Sequence, residues 1–254
     1  MIITFLGTGT SQGIPVIACK CEVCTSTDAR DNRLRTSVMI EDRGVVVVID
    51  SGPDFRQQLL REKTSRMDAL VFTHAHKDHT AGMDDIRAFN YFQGKPCDVY
   101  ATFHVQDVLK REFSYIFSGV DYPGLPQLKF HTIKNNESFQ IEHLTFTPIE
   151  VLHHKLPVLG FRVNDFTYIT DANYISETER KKIRGSKVIV LNALRREAHI
   201  SHFTLSEAIE VALDLKAHMT YFTHLSHQMG KHSDLEKELP INIQAAYDRL
   251  QIEL

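Results

Sequence analysis

"THAHKDH", Thr73 to His79, closes the apolar strand "DALVFT" and leads into "TAGMDDIRAF", which reads as a helix. In an extended chain residues two apart leave on the same side, so His74 and His76 project together. Asp78 and His79 follow where the chain turns into the helix. That arrangement can serve two adjacent metal ions, one through the first pair and one through the second. Imidazole and carboxylate donors suit zinc, manganese or iron and leave positions free for water and substrate. A purely structural role would need three histidines and an aspartate packed together by chance or left idle on the surface.

Histidine is abundant beyond this stretch. The chain has 14 in 254 residues, a density that points to metal or proton chemistry. At 43% hydrophobic and 24% charged, the composition is ordinary for a folded protein, and the length can bury a large core in one big domain or two small ones. The net charge of −3 argues against a protein that clings broadly to nucleic acid or anionic membrane. No apolar run approaches the ~20 residues that cross a bilayer. The opening "MIITFLGTGT" lacks the basic region, long apolar run and cleavage pattern of a secretion signal. The expectation is a cytoplasmic protein, where free thiols and metal thiolates outlast disulfides.

Working outward, "MIITFL" reads as a strand followed by the glycine-rich "GTGTSQGIP", and "TSVMIE" and "GVVVVID" as a hairpin around "DRG". "FRQQLLRE" and "FHVQDVLKREFSYIF" have helical spacing. The second of these runs into "SGVDYPGLPQ", residues 118–127, a turn-rich loop with two roles open to it: a mobile lid beside the site or a contact between two copies in a homodimer. In the second half "HLTFTPIEV", "LGFRV", "FTYIT", "KVIVLNA" and "MTYFT" read as strands. Ser176 with Glu179, and Thr204 with Glu207, form capping-box patterns ahead of helices. The second helix carries Leu205, Ala208, Ile209 and Ala212 on one face. "INIQAAYDRLQIEL" reads as a closing strand pair. Two strand-then-helix halves with no linker predict a single α/β domain over residues 1–254, its two sheets sandwiched between helices.

A second cluster is "ACKCEVC", which holds Cys19, Cys21 and Cys24; the remaining cysteine, Cys97, reads as an inert core thiol. Three close thiols fit a metal clip, but a closed tetrahedral zinc site needs four ligands. The spacing alone leaves redox-active or simply buried thiols open.

The motif H-x-H-x-D-H at His74–His79 resembles the signature of the metallo-β-lactamase superfamily, and the resemblance extends along nearly the whole chain in the family's order. It implies a four-layer αββα sandwich. Asp50 in "VVVVIDSG" matches the strand-end aspartate that supports the first metal loop, Asp171 in "YITDAN" the carboxylate that bridges both metals, and His224 in "FTHLSH" the last ligand. For the third histidine ligand His153 and His154 compete, and the spacing to Gly160 favours His154. The implied assignment is His74, His76 and His154 on one ion, Asp78, His79 and His224 on the other, with Asp171 shared. The resemblance makes the ions zinc or manganese, their bridging hydroxide the attacking group, and Asp78 part of the catalytic machinery. His104, His131, His143, His199, His218 and His232 lie outside any ligand pattern.

The chain further resembles one branch of that superfamily, the phosphoribosyl cyclic phosphate phosphodiesterases and their relatives, which carry a cysteine knuckle after the N-terminal glycine loop. There a histidine three residues beyond the last active-site ligand completes a structural zinc site. The resemblance thus implies a third ion, a zinc held by Cys19, Cys21, Cys24 and His227. It also makes His202, in "HISHFTLSEA", a general acid at the leaving group. The segment "GMDDIRAFN" also resembles those relatives, and it leaves two roles open for Asp84, Asp85 and Arg87: ion pairs that brace the metal loop, or a solvated helix face. Relatives carry glycine where Arg249 stands, so a positive φ there would strain the turn.

Superfamily membership alone does not name a substrate. A β-lactamase is disfavoured because those enzymes generally lack a counterpart of His79, a transfer-RNA 3′ endonuclease because no basic arm is present, and a thioesterase because no helical C-terminal domain follows. A non-hydrolytic metal-binding protein of the cofactor-biosynthesis type is the alternative of a different class. The expectation is a dinuclear-metal phosphodiesterase acting on a small, cyclic phosphodiester, with neither nucleic acid nor membrane as partner.

Overall fold

The computed structural model describes residues 1–119 and 122–254. Strands β1 (Ile2–Gly7), β2 (Ser37–Asp42) and β3 (Val45–Ile49) form an antiparallel meander. Strands β4 (Ala69–Val71), β5 (Cys97–Ala101) and β6 (Leu128–Thr132) extend it in parallel. The β2–β3 hairpin pairs Asp42 with Val45 across Arg43 (φ 46°) and Gly44 (φ 81°). This two-residue turn with both φ positive matches the right-handed strand twist. Helices α1 (Phe55–Arg61), α2 (Lys77–Thr80), α3 (Arg87–Gln93) and α4 (Phe103–Glu112) connect the parallel strands.

The second sheet repeats the plan. Strands β7 (Phe139–Ile141), β8 (Leu144–His153) and β9 (Leu156–Val163) form antiparallel hairpins, and β10 (Phe166–Tyr168), β11 (Val188–Asn192) and β12 (Met219–Thr223) follow, the last three in parallel. Its connecting helices are α5 (Glu177–Ile183), α6 (Leu205–Leu215) and α7 (His232–Glu238). The Thr204–Glu207 box at α6 closes in both directions. At α5 only Ser176 caps, because the Glu179 carboxylate accepts the Glu150 amide at 2.9 Å instead.

The C-terminal segment departs from the expected strand pair. Strand β13 (Ile243–Ala245) adds beside β12, whereas β14 (Gln251–Glu253) crosses to the other sheet and pairs with β1. The crossover is held by Asp248, whose carboxylate accepts from the Thr8 hydroxyl at 2.8 Å and the Leu34 amide at 2.9 Å. Arg249 does take a left-handed backbone, φ 75°, with its amide on the Phe5 carbonyl. Among the described residues each sheet therefore has seven strands, ordered β14-β1-β2-β3-β4-β5-β6 and β13-β12-β11-β10-β9-β8-β7.

Three cores make the four layers. Phe5, Val38 and Ile49 from one sheet meet Phe146, Phe161 and Tyr168 from the other. Phe55, Leu59, Ile86 and Leu109 cover the outer face of the first sheet, and Ala208, Ala212, Leu215 and Leu235 that of the second. Phe5, Phe146 and Phe161 have no solvent exposure, and each such side chain stabilises the fold by about 1.5–3 kcal/mol. This is the single αββα sandwich expected. No helix among the described residues is long and apolar enough to cross a membrane.

Two residues of the 118–127 loop, Val120 and Asp121, lie outside the described residues. Pro123, Gly124 and Leu125 of that loop line a cavity of about 500 Å³ with Tyr91 and Phe92 of α3. None of the histidine-cluster residues lines it.

Candidate active site and metal centres

The carboxyl ends of the strands converge on one cleft, where open α/β sheets place their ligands. Asp50 follows β3, Thr73 and His74 follow β4, Asp171 follows β10 and His224 follows β12. Asp50, Asp171 and His224 have φ of 66°, 50° and 58°. Left-handed backbone is uncommon at non-glycine residues, and each of these three strand ends adopts it. The loop carrying Asp78 sits tight on its neighbour: a Cβ on Gly52 would stand 2.1 Å from the Asp78 carbonyl oxygen, so only glycine fits.

Asp171 is the hub. Its Oδ1 lies 3.3 Å from His79 Nε2 and 3.2 Å from His224 Nε2, while Oδ2 lies 3.8 Å from His74 Nε2 and 4.0 Å from His202 Nε2. Asp78 Oδ2 stands 3.3 Å from His79 Nε2 and 3.6 Å from His224 Nε2. These separations can be tested against coordination. Nitrogen and oxygen donors 2.0–2.1 Å from one ion in a tetrahedral array lie about 3.3 Å apart. Asp78, His79, Asp171 and His224 match that spacing.

The hydrogen bonds behind the cluster orient the rings. Asp50, fully buried, accepts from His79 Nδ1 at 2.7 Å and from the Thr73 hydroxyl at 2.8 Å, and Thr73 Oγ in turn meets His74 Nδ1 at 3.0 Å. With both Nδ1 atoms donating, each Nε2 turns a lone pair into the cleft; this tautomer follows from the network. The Nε2 atoms of His74, His79 and His224 are buried without a hydrogen-bond partner. Buried polar atoms are rarely left so, and metal ions in the cleft would satisfy them. Burial lowers the His74 imidazole well below its usual range, which suits a ligand that must be neutral. Burial alone would raise the Asp171 carboxyl, but His224 and His79 hold it well below the usual carboxylate range.

The structure corrects the third histidine. His153, not His154, enters the cleft. It shares a β8 face with Ile149 and Val151, which pack in the same core as Phe203. Its Nδ1 donates to the Ser201 carbonyl at 2.9 Å, and its ring centroid is 5.1 Å from that of His76. His154 begins the hairpin turn to β9 with φ 57°, gives its amide to Asn173 Oδ1, and leaves its side chain exposed. Strand alternation along Ile149 and Val151 carries the signal that the spacing to Gly160 misses.

His202 is buried, with its ring 4.4 Å from His153 and 4.7 Å from His224. Burial, then the neighbouring His224, pushes its imidazole down to about 2. Phe203 positions it, with its amide on the Ala172 carbonyl at 2.8 Å. The sequence reading also passed over Asn192, which pins Ala172 by both its amide and its carbonyl at 2.9 Å and so fixes the turn carrying Asp171.

Cys19, Cys21, Cys24 and His227 come together as a separate group, their ligand atoms all within 4.8 Å of one another. Both Cys19 Sγ and Cys21 Sγ stand 3.4 Å from His227 Nδ1. Sulfur at 2.3 Å and nitrogen at 2.0–2.1 Å from one zinc give about 3.5 Å between them. The Cys24 amide and then His227 lower the Cys21 thiol to about 6. Burial instead raises Cys24 to about 11. The clip loop and the catalytic loop are stitched together, since Leu225 donates to Thr8 and accepts from Thr10, both at 3.0 Å. Cys97 is buried in the outer core, as expected.

One expected brace does not reach the metal loop. Asp84 pairs with Arg87 at 3.3 Å and accepts from the Tyr115 hydroxyl on the surface. Among the described residues no ion pair links Asp84, Asp85 or Arg87 to residues 73–79. Exposed pairs of this kind contribute about 0–1 kcal/mol.

The sequence profile of the Beta-lactamase superfamily domain matches residues 46–225. A crystal structure of a diphosphatase described as new and from the PhnP family superposes with a TM-score of 0.93 at 38% identity, covering 100% of this chain and 97% of that one. An octanoyltransferase of Porphyromonas gingivalis is 36% identical over 248 residues, 97% of this chain but 50% of that protein. Ribonuclease Z of Gloeothece citriformis is 28% identical over 169 residues, 64% of this chain and 46% of that protein. The chain thus spans about half the length of the curated relatives it matches.

Proposed function

Because the chain belongs to the β-lactamase superfamily, in its PhnP-family branch, a fold that implies divalent metal ions, we propose that it is a metal-dependent phosphodiesterase acting on small, preferentially cyclic phosphodiesters. The observation that supports the reading is three donor groups that share Asp171: Asp78, His79 and His224; His74 and His76; and His153 with His202. His74, His76, His153 and Asp171 would hold one ion and Asp78, His79, His224 and Asp171 the other. Cys19, Cys21, Cys24 and His227 would hold a structural zinc. Two divalent ions would lower the pKa of a water and offset charge on the phosphoryl oxygens.

The protein's own groups do the rest. Asp50 and Thr73 keep His79 and His74 in the tautomer that offers Nε2 to the cleft. Asp78 supplies a carboxylate between His79 and His224, its charge maintained by those imidazoles against the burial that opposes it. His202 points Nε2 toward Asp171 and, in this reading, donates the proton that the departing alkoxide takes up.

The test is turnover of bis(p-nitrophenyl) phosphate and of a 2′,3′-cyclic nucleotide by protein replete with manganese or zinc, against a β-lactam, a thioester and a phosphomonoester. Hydrolysis of the diesters alone is expected, and thioester turnover without diester turnover overturns the reading. A second reading is a diphosphatase that splits a P–O–P linkage, favoured by the 38% identical PhnP-family diphosphatase. Faster turnover of a nucleoside diphosphate ester than of any diester would select it.

A further inference from the structure

Beside His74 and His76, past the ends of β5 and β6, lies a cavity of about 380 Å³. This volume lies in the range of small-molecule sites. His74 and His76 line this cavity and also belong to the donor groups, so the cavity adjoins the cleft. Its apolar wall comes from Val105, Leu156, Pro157 and Leu159. Beyond His74 and His76 the polar groups are Thr73, Thr102, His104 and Asn135, and Asn135 is anchored by giving its amide to Glu150. Among the described residues that line it, none is lysine, arginine, aspartate or glutamate.

That lining selects a chemistry. A phosphate or carboxylate seated there would lose its water and meet no fixed positive side chain, a costly transfer. A cation would meet no carboxylate. An uncharged ring instead buries its faces on the aliphatic wall while hydroxyls or ring heteroatoms reach the few polar groups. We propose that this cavity binds an uncharged nucleoside-like group esterified to the scissile phosphate, so that the substrate is a phosphodiester whose organic part lies beyond His76 and carries no second phosphate there. The inference rests on the phosphodiesterase reading and deepens it.

The experiment compares three esters with the same p-nitrophenol leaving group: methyl, thymidine-5′, and thymidine-5′ carrying a 3′-phosphate. The metal-replete protein is expected to turn over the thymidine ester with kcat/KM at least about tenfold above the methyl ester, in the range that burying a small apolar group gives. The 3′-phosphate should cancel that gain. Leu156→Glu, which sets a carboxylate in the wall, should lower the thymidine-to-methyl ratio at least fivefold, and Leu156→Lys should restore turnover of the 3′-phosphorylated ester. Saturation-transfer NMR with thymidine reports the cavity independently of turnover, with signal expected for the native chain and lost in Leu156→Glu. Equal turnover of methyl and thymidine esters, or a ratio unmoved by Leu156→Glu, overturns the proposal. If no diester is hydrolysed at all, the phosphodiesterase reading falls and the thymidine signal decides the cavity alone: binding that Leu156→Glu abolishes supports it, and no binding overturns it.

Discussion

The histidine–aspartate cleft and the cysteine clip share one loop, Thr223–His227, yet they are built on opposite principles. In the cleft, His74, His79, Asp171 and His224 are buried at strand ends, and a buried Asp50 orients two of them before any ion arrives. In the clip, Cys19, Cys21, Cys24 and His227 are half-buried on turns whose hydrogen bonds are local, such as Cys19 to Val16 and Thr25 to Cys21. On the proposed reading, the cleft would meet its metals with ligands already oriented, whereas the clip would take its order from zinc. Preorganisation of ligands belongs where chemistry demands it, and a folding staple does not require it.

The sharpest break in this comparison comes from the two histidines of the shared loop. His224→Ala should remove turnover altogether and deplete one cleft ion while leaving the clip zinc and most of the melting temperature in place. His227→Ala should spare the cleft ions and lower activity only in part. Metal content and turnover measured on both variants decide it, and complete loss of catalysis in His227→Ala with the clip zinc retained would merge the two regions.

His202→Ala should follow, with kcat reduced by about 10²–10⁴, the range for a lost general acid, and both cleft ions still bound. The loss should shrink for p-nitrophenyl esters, whose leaving group needs no proton. Equal losses on activated and unactivated esters would make His202 a substrate-binding group.

The exchange of His153 for His154 predicts a contrast between neighbours. His153→Ala should weaken one cleft ion and lower turnover by about 10–100-fold or more, the least that loss of a metal-site group costs. His154→Ala should change turnover by less than about twofold. Metal titration of the two variants side by side reads this out, and the reverse ranking would reinstate His154.

At the clip, Cys21→Ala and His227→Ala should lose the same single zinc and the same few degrees of melting temperature, since each deletes one ligand of one site. Different metal stoichiometries would separate them.

The smallest effect expected is a pH dependence at the clip's inner end. His232 is buried against Arg33, its Nδ1 3.1 Å from the Arg33 guanidinium, with Arg30, Asp28, Asp31 and Tyr247 around it. Burial and then Arg33 push its imidazole down to about 4 from 6.5. The unfolded chain then binds the extra proton between those values, so this contribution to stability is full above pH 6.5 and fades as the pH falls toward 4. The melting temperature of the native chain should drop more steeply between pH 7 and 5 than that of His232→Gln. Parallel profiles would remove His232 from the acid sensitivity.

Much of this was legible in the residues themselves. The spacing of His74, His76, Asp78 and His79 encodes its own geometry, because strand period and helix start are local properties of the backbone. The β2–β3 turn, the Thr204–Glu207 cap and the hydrophobic strands are likewise local. The resemblance to a known family then supplied Asp50, Asp171, His224 and the clip partner His227, residues scattered along the chain that no spacing rule joins. Tertiary structure alone decided the rest. It chose His153 over His154, because only the finished β8–β9 hairpin shows which of two adjacent rings faces Ser201 and which takes the turn. It sent β13 and β14 to different sheets, because Asp248 is captured by Thr8 and Leu34 from the far end of the chain. It left Asp84 and Arg87 on the surface rather than against the metal loop. Local pattern specifies what a residue offers, and packing across long sequence separations settles which neighbour receives it.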